Sequence, residues 1–250
     1  AVAALNRLDG VLCPGAFLLR VHEAMGVRRE ILEHVPLGQP HFDRLRAAAE
    51  ASPFYGTRPW DPRTATRPLR FAYFGNPYPN KGLATLARAV MRMPEAARAR
   101  MHLMLRVAGD AERFRRGLAG VPQVSFHGAY RIEDTLGAAG EFDVGILPST
   151  GLDNSPLVLL EFLHAGKFAI ASRLGGPTGF VRAWDGATPG NGVYFRAADP
   201  ADLARVMTAV VAGEITVPSP REVHGASELC SHGEHVVGVE AVYRGVVDER

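Results

Sequence analysis

Lysine is nearly absent from this sequence. Of its 28 basic residues, only Lys81 and Lys167 are lysines, and the others are arginines. A skew of this kind is typical of a compositional habit of the source genome, since either residue serves on a solvated surface. At a specific site the two are not interchangeable, because lysine carries a compact point charge and arginine a planar fork of donors. Each retained lysine is therefore a position at which to look for a specific role.

Several other features that the sequence lacks exclude whole classes of protein. The near balance of 28 basic and 26 acidic residues excludes the large basic patch that binding to duplex nucleic acid requires. No apolar run approaches the roughly 18 residues of a membrane span. Cys13 and Cys230 match neither a zinc nor a redox spacing, which suits a reducing cytoplasm. Residues 1–9 lack the basic segment of a signal peptide, and a chain that begins at Ala1 is expected to be a fragment.

The middle of the chain alternates short apolar runs with helical patterns. The predicted strands are Leu69–Phe74, His102–Ala108, Gln123–Phe126, Asp143–Leu147, Phe168–Ser172 and Val193–Phe195. The predicted helices are Lys81–Met93, Asp110–Leu118, Ile132–Ala139, Ser155–Ala165 and Pro200–Val211. This alternation predicts an α/β fold with a parallel sheet and helices on both of its faces. In the helix that is most clearly delimited, Ser155 suits the N-cap, Pro156 the first helical position and Gly166 the C′ position.

The segments on either side of this unit follow other patterns. A strand, a helix and a second strand are predicted at Gly10–Pro14, Ala16–Met25 and Ile31–Pro36. Gln39–Pro68 is rich in Pro, Ala and Arg with weak periodicity, which predicts a linker that carries one short helix. Arg221–Val247 has a helical pattern.

One edge of the predicted sheet is the place to expect a site. In open parallel sheets, ligands lie outside the carboxyl ends of the strands. The loops that follow the predicted strands are Gly75–Asn80, Gly109–Asp110, His127–Arg131, Pro148–Asn154 and Arg173–Thr178. Glycine and small polar or charged residues occupy much of each loop, so function is expected there.

The first of these loops favours a bound anion. Gly75 directly after the strand lets the backbone approach a ligand, and the helix start near Lys81 attracts anions. A lysine is electrostatically unfavourable at a helix start, which makes sense if a phosphate neutralises it. The loop is not a Walker A loop, since Lys81 precedes Gly82. The alternative is a solvated surface lysine.

The fourth loop and the helix after it hold two acids, Asp153 and Glu161, with seven residues between them. Unpaired amides around Asn154–Val158 would form an anion site. Glu161 lies beyond the first helical turn, where its carboxylate could accept hydrogen bonds from the vicinal hydroxyls of a sugar. The alternative is a capping acid followed by a surface glutamate.

Together these segments resemble the C-terminal half of a GT-B glycosyltransferase of the large group 1 family, of family 4 type. The resemblance runs in order from Leu69 to Val211. Its motifs are Phe74-Gly75 before Lys81-Gly82, Val107-Ala108-Gly109-Asp110, Val124-Ser125-Phe126-His127-Gly128, Ile146-Leu147-Pro148-Ser149, Asn154-Ser155-Pro156-Leu157-Val158-Leu159-Leu160-Glu161, Ala165-Gly166, Ile170-Ala171-Ser172, Gly175-Gly176 and Gly192-Val193-Tyr194-Phe195. It implies a Rossmann-like doubly wound parallel sheet.

The resemblance also implies roles for the residues of these loops. Lys81 would pair with the donor diphosphate, Asp153 would contact the transferred sugar and Glu161 would bind the donor ribose. These three are the candidate catalytic residues. The full set of candidate donor-binding residues is Gly75, Asn76, Lys81, Gly128, Tyr130, Asp153, Asn154, Ser155, Leu157, Val158 and Glu161. Gly128 and Tyr130 belong to the loop that would lie along the nucleotide base.

A domain organisation follows from the same resemblance. Residues 1–40 would be the tail of an N-terminal acceptor domain and 41–68 a linker. Residues 69–216 would be the nucleotide-sugar-binding domain, and 217–250 a helix that crosses back to the N-terminal domain. Because most of the N-terminal domain is missing from this sequence, the chain alone is not expected to complete a turnover.

Three positions depart from the family pattern. Asp153 stands where the family has glutamate, which shortens the reach of the carboxylate by one methylene. Asn76 stands where the family often has arginine, so one charged partner of the diphosphate is lost. Gly179 stands where glutamate is usual.

The implied reaction moves a hexose from a UDP- or GDP-linked donor to the hydroxyl of an unknown acceptor, with retention, in bacterial polysaccharide or glycoconjugate synthesis. No cofactor and no metal are expected, because an Asp-x-Asp pair is absent and the group His224, Cys230, His232 and His235 matches no zinc spacing. The expected location is the cytoplasm, with peripheral association of the full-length enzyme at the inner face of the membrane.

Two other functions stay open at this point. One is a non-catalytic nucleotide-sugar-binding or scaffolding module, which the departures at Asn76, Asp153 and Gly179 favour slightly. The other is a sugar-nucleotide epimerase of similar architecture, which would lack the Asp153 and Glu161 arrangement. A dinucleotide oxidoreductase is disfavoured, because no G-x-G-x-x-G motif follows a predicted strand.

Overall fold

The computed structural model describes residues 1–129, 137, 139–186 and 188–248. Its first elements are α1 (Val2–Leu5), β1 (Val11–Cys13), α2 (Ala16–Ala24) and β2 (Leu32–His34). The strands β1 and β2 pair in parallel, which confirms the predicted strand–helix–strand unit. A small cluster of buried apolar side chains, among them Cys13 and Leu32, holds this unit together.

The segment between this unit and the main sheet contains one helix, α3 (Pro40–Glu50), as predicted. Pro40 occupies its first position, where the missing amide hydrogen has no intrahelical role. Phe42 and Leu45 are buried. The ring of Phe42 stacks on that of His164 with 4.7 Å between the ring centroids, so α3 is fixed against the following domain.

The main sheet has six strands. They are β3 (Leu69–Gly75), β4 (Met101–Val107), β5 (Val124–His127), β6 (Val144–Leu147), β7 (Phe168–Ser172) and β8 (Gly192–Phe195). Their order is β5-β4-β3-β6-β7-β8, and all neighbours are parallel. The helices described here are α4 (Leu83–Arg92), α5 (Glu95–Arg98), α6 (Glu112–Gly117), α7 (Leu157–His164), α8 (Pro177–Phe180) and α9 (Pro200–Ala212). The predicted α/β fold is confirmed, and the helix predicted at Ile132–Ala139 lies almost entirely outside the described residues.

Both faces of the sheet are buried. Successive side chains of a strand point to opposite faces, and in β3 the rings of Phe71 and Tyr73 belong to the large core that includes α4 and α9. Phe74 points to the other face, where it meets Phe142 and Phe162. The three rings pack edge to face with centroids 5.3–5.4 Å apart. Helices therefore cover both faces, as the near-continuous apolar strands require.

The start of α7 differs from the prediction. Pro156, not Ser155, is the N-cap residue, and it is extended (φ −68°, ψ 108°). The Ser155 amide donates to Asn154 Oδ1 at 2.6 Å, and Ser155 Oγ caps no helical amide. The assignment of Ser155 as the N-cap was therefore wrong by one residue.

The end of α7 agrees with the prediction. Gly166 has φ 67°, in the left-handed region that favours glycine. Its amide donates to the Leu163 carbonyl at 2.9 Å, and the Lys167 amide donates to the Phe162 carbonyl at 2.8 Å. These two bonds form a Schellman motif, which directs the chain straight into β7.

The C-terminal helical pattern is divided in two. The helices are α10 (Pro220–Gly225) and α11 (His232–Asp248), separated by residues 226–231. The single pattern predicted over Arg221–Val247 is thus corrected. Ser231 Oγ accepts the Glu234 amide at 3.1 Å, and the Glu234 carboxylate accepts the Ser231 amide at 2.8 Å. This reciprocal capping starts a new helix after the break.

Candidate functional site

The order of strands in the main sheet reverses between β3 and β6, which lie side by side. The connections from these two strands lead to neighbouring strands on opposite sides. In sheets of this kind, ligands bind in the crevice expected at such a reversal, outside the carboxyl ends of the strands. Lys81 follows β3 and Asp153 follows β6.

Internal hydrogen bonds fix the loop after β3. Asn76 Oδ1 accepts the Tyr78 amide at 3.1 Å, and the Asn76 carbonyl accepts the Tyr73 hydroxyl at 2.8 Å. Burial raises the pKa of Tyr73 well above its usual value, so the hydroxyl stays protonated and remains a donor. A Cβ on Gly75 would lie 2.9 Å from this hydroxyl. The candidate residues Gly75 and Asn76 thus shape the loop, and the Asn76 carboxamide oxygen is already engaged.

The loops after β3 and β6 are joined directly. The Thr150 amide donates to the Asn80 carbonyl at 2.8 Å, and the Thr150 hydroxyl donates to the Pro79 carbonyl at 3.0 Å. Gly82 has φ 71°, and a Cβ at this position would overlap the Pro148 carbonyl. Both the positive φ and the close approach of the Pro148 carbonyl require glycine here. Because glycine has no side chain, the two loops can contact each other.

This junction brings the two principal candidates together. Lys81 Nζ lies 3.0 Å from Asp153 Oδ2 and 3.3 Å from Oδ1. The side chains are 33% and 27% exposed, so solvent reaches the pair. An ion pair with this exposure contributes about 1 kcal/mol or less. An entering anion can therefore replace the Asp153 carboxylate on Lys81 at small cost.

The start of α7 lies beside this pair. The amides of Leu157 and Val158 occupy the first turn, where they have no intrahelical acceptor, and no side chain caps the helix. Among the described residues, neither Ser149 Oγ nor Ser155 Oγ has a hydrogen-bond partner, although both are buried. Buried polar atoms are normally paired. This segment therefore offers free donors next to the exposed Asn154.

Two glycine segments support the Asp153 backbone. The Gly176 amide donates to the Asp153 carbonyl at 2.6 Å, and a Cβ on Gly176 would overlap the Asn154 carbonyl. On the other side, a Cβ on Gly15 would lie 3.1 Å from Ser155 Oγ. Gly15 was not among the predicted site residues. Its only signal was its place at the start of α2, in a unit whose position beside the main sheet the sequence did not reveal.

Glu161 is buried against α3. Its carboxylate Oε1 lies 3.2 Å from Nε2 of His41, which belongs to α3. The two side chains are 6% and 8% exposed. A sugar hydroxyl that binds Oε1 would compete with His41 for this oxygen. His41 was missed from the sequence because it lies 120 residues before its partner in a segment of weak periodicity.

The remaining candidates lie apart from this pair. Gly128 is exposed and follows β5, the edge strand, from which β4 separates β3. Two strand spacings amount to roughly 10 Å, so Gly128 could line the same edge without touching Lys81. Tyr130 lies outside the described residues.

Neither a metal site nor a membrane-spanning helix is present in the part of the chain that the structure describes. In the described part of the chain, no three His, Cys, Asp or Glu side chains converge to hold a metal ion. In the C-terminal group, His224 Nδ1 lies 2.9 Å from the Tyr55 hydroxyl and His235 Nδ1 lies 2.8 Å from the Pro36 carbonyl. Nor does any described helix combine the length and apolar character needed to cross a membrane.

Comparisons with known proteins bear on the family and the fold. Residues 68–212 match the family model of the glycosyl transferases group 1. No curated protein matches the chain. Among solved structures, the chain is similar to Anabaena Alr3699/HepE in complex with UDP and glucose, with a TM-score of 0.69 and 18% identity over 98% of this chain.

Two further structures show the same likeness. The glycosyltransferase from Rickettsia africae ESF-5 has a TM-score of 0.72 and 13% identity, with all of this chain covered. The lipopolysaccharide outer core galactosyltransferase WaaB has a TM-score of 0.70 and 17% identity over 95% of this chain. The chain spans 65% of the Anabaena chain, 67% of the Rickettsia chain and 62% of WaaB. With a family match over more than half of its length, this chain belongs to the group 1 glycosyltransferases, and its main sheet is the Rossmann-like sheet of the GT-B fold.

Proposed function

We propose that this chain binds the diphosphate of a nucleotide-sugar donor in the crevice between the loops after β3 and β6. The observation that carries the proposal is the contact between Lys81 and Asp153 at 3.0 Å, in a crevice open to solvent. A mobile lysine held by a weak ion pair is a ready partner for a diphosphate, whose charge exceeds that of one carboxylate.

Binding of the donor is proposed to separate Lys81 from Asp153 and to give each of them a new partner. The diphosphate takes Lys81, and the free amides of Leu157 and Val158 with the hydroxyls of Ser149 and Ser155 are the nearest further donors. Fixed donors of this kind stabilise a leaving diphosphate in place of a metal ion. Asp153 is then released and can accept a hydrogen bond from the transferred sugar.

The donor ribose is proposed to bind Glu161, with Gly128 and Tyr130 along the base. Contact with the ribose requires that His41 release the Glu161 carboxylate. His41 Nε2 lies 3.2 Å from Glu161 Oε1, so rotation of the His41 ring is proposed to accompany binding of the ribose. The transfer is proposed to retain the anomeric configuration, as the family resemblance implies.

The rest of the enzyme is proposed from the same resemblance. Residues 1–40 form the tail of an acceptor domain, 41–68 a linker, 69–216 the donor domain and 217–250 the segment that returns to the acceptor domain. Because the chain spans only 62–67% of the similar solved chains, we propose that the chain alone binds donor without transferring sugar. The crystallisation of Alr3699/HepE with UDP-glucose supports a UDP-linked hexose as the first donor to test. A cytoplasmic role in polysaccharide or glycoconjugate synthesis is part of this proposal.

Calorimetry with UDP and GDP tests the donor site. Lys81→Ala is expected to weaken binding roughly tenfold or more, because it removes a charged hydrogen-bond donor from the phosphates. Lys81→Arg keeps the charge and is expected to keep most of the affinity. Arg88→Ala, an exposed arginine on α4, is the matched control and should bind as the wild type does. Unchanged affinity in Lys81→Ala would overturn the assignment.

The burial of Glu161 against His41 favours a second candidate function, a non-catalytic module that binds nucleotide sugars. Such a module binds UDP through Lys81 but makes no use of Glu161. Hydrolysis or transfer of UDP-glucose by the chain joined to its complete acceptor domain distinguishes the two. Turnover that is lost in Glu161→Gln supports the transferase, and absence of turnover with intact UDP binding supports the module.

A further inference from the structure

A second cavity lies at the opposite edge of the main sheet, at the amino ends of the strands. Its volume is 530 Å³, within the range of small-molecule sites. Four cationic side chains line it together with one carboxylate: Arg58, Arg67, Arg70, Lys167 and Asp143. Arg70 lies at the start of β3, Asp143 precedes β6 and Lys167 precedes β7. The seven-residue strand β3 separates this edge from Lys81 by about 20 Å.

The one carboxylate of the cavity is fully occupied. Asp143 Oδ2 accepts from Arg67 at 2.6 Å and Oδ1 accepts from the same guanidinium at 3.0 Å. Arg70 donates to both oxygens at 3.3 and 2.9 Å, and its amide donates to Oδ2 at 3.0 Å. Burial acts to raise the pKa of Asp143, but the bonds from Arg70 and Arg67 outweigh it and hold this pKa below its usual value. Asp143 therefore pairs directly with two arginines, and it attracts Lys167 only at longer range.

Lys167 is the unexplained member of this group. Within the described residues no carboxylate lies within 4.0 Å of its ammonium, which packs at 5.4 Å from the ring centroid of Phe142. Burial lowers the pKa of Lys167 to about 8; the charge of Asp143 acts to raise this pKa, and the charges of Arg70 and Arg67 act to lower it. A structural triad of Arg67, Asp143 and Arg70 accounts for three of the charges, but among the described residues it places no carboxylate within ion-pair distance of Lys167.

Arg58 adds a fourth positive charge. It is 57% exposed, and its nearest carboxylate is Glu222 at 3.9 Å, which already caps α10 through Ser219. The cavity thus carries a surplus of positive charge that the described carboxylates leave uncompensated. Beside these charges the ring of Phe54 is 69% exposed and lines the same cavity.

We propose that this cavity is a second ligand site, which takes a small organic phosphate with its anionic group among Arg58, Arg67, Arg70 and Lys167 and its apolar part on Phe54. Guanidinium forks suit the oxygens of a phosphate, and an anion here relieves the repulsion on Lys167. The site is independent of the donor crevice and does not rest on the function proposed for it.

The scarcity of lysine makes a direct test available. Reductive ¹³C-methylation labels only Lys81, Lys167 and the terminal amine, so each site has its own NMR signal. Phenyl phosphate and inorganic phosphate are the two probes. Phenyl phosphate is expected to shift the Lys167 signal saturably and to bind more tightly than inorganic phosphate. Equal affinity for the two probes would overturn the apolar part of the proposal, and an unmoved Lys167 signal would overturn the site itself.

Variants locate the binding. Arg58→Ala is expected to weaken the response of the Lys167 signal roughly fivefold, because it removes one partly exposed charge. The matched control Arg116→Ala, which removes an exposed arginine on α6, should leave the response unchanged. Equal weakening by both variants would show that the response depends only on the net charge of the chain, which would overturn the site.

A stability measurement gives a second readout, which does not depend on the NMR label and so can be used when Lys167 is replaced. In a Lys81→Ala background, phenyl phosphate is expected to raise Tm, since a ligand stabilises the state that binds it. Lys167→Met in the same background should fold with an unlowered Tm, because it removes a charge held against its neighbours. It should then show little response to the ligand. An equal rise in Tm with and without Lys167 would contradict the proposal.

Discussion

Asp143→Asn is expected to be among the most damaging polar substitutions in this chain. The Asp143 side chain is 2% exposed and joins Arg67, in the segment before the sheet, to Arg70 in β3. An amide of the same shape removes the negative charge that three positive groups share, including Lys167. Removal of one partner from a buried ion pair costs about 3–5 kcal/mol. Because Arg67 and Arg70 are 40% and 32% exposed and can be hydrated, we expect the lower end, about 3 kcal/mol.

Urea unfolding at neutral pH measures this loss. Asp61→Asn is the matched control, since Asp61 pairs with Arg63 at 2.7 Å on the surface and its loss should leave the midpoint nearly unchanged. Lys167→Met placed in the Asp143→Asn background is expected to recover part of the loss by removing a repelled charge. A midpoint for Asp143→Asn equal to that of the control would refute the reasoning.

The stability that Asp143→Asn loses relative to the wild type, called the deficit below, should depend on pH, and this gives an independent check. The pKa of Asp143 is lowered in the folded state, so its carboxylate stabilises the fold above the ordinary aspartate pKa and stops doing so as pH falls through the lowered value. The deficit should be complete at neutral pH and shrink below about pH 4. A deficit that stays constant into acid would show that lost packing, and not lost charge, is responsible.

Further substitutions test the packing and the burial of His164. Gly82→Ala forces a left-handed residue against the Pro148 carbonyl, and we expect a loss of about 2 kcal/mol in urea unfolding together with weaker UDP binding. Gly145→Ala drives a Cβ into the ring of Phe162, for which we expect a loss of about 1–3 kcal/mol, whereas Gly117→Ala has open space and should be tolerated. Burial, with the charge of His224, lowers the pKa of His164 to about 4. Stability should therefore fall between pH 6.5 and 4 by up to about 3 kcal/mol, and His164→Phe should flatten that fall.

Much of the sheet could be predicted from the sequence because each strand carries its own signal. Buried parallel strands are apolar throughout, and their boundaries coincide with glycine or charged residues, as in β3 and β7. The division of the C-terminal helix also had a local signal, the spacing of Ser231 and Glu234, which the broader helical pattern obscured. Local signals of this kind can be read before the fold is known.

The contacts of Lys81 with Asp153 and of His41 with Glu161 could not be predicted in the same way. Lys81 and Asp153 were expected at one edge, but their pairing depends on β3 and β6 being neighbours although two strands intervene in the chain. His41 meets Glu161 across 120 residues, through the packing of α3 on α7. These contacts follow from the order of the strands and the position of the linker helix, which no local pattern encodes.

The most direct test of the donor site is a crystal structure of this chain with UDP. The predicted result has the diphosphate on Lys81 at the start of α7, with the Asp153 carboxylate displaced from the lysine. A diphosphate bound elsewhere, with the Lys81 and Asp153 pair intact at 3.0 Å, would contradict the assignment of this crevice as the donor site.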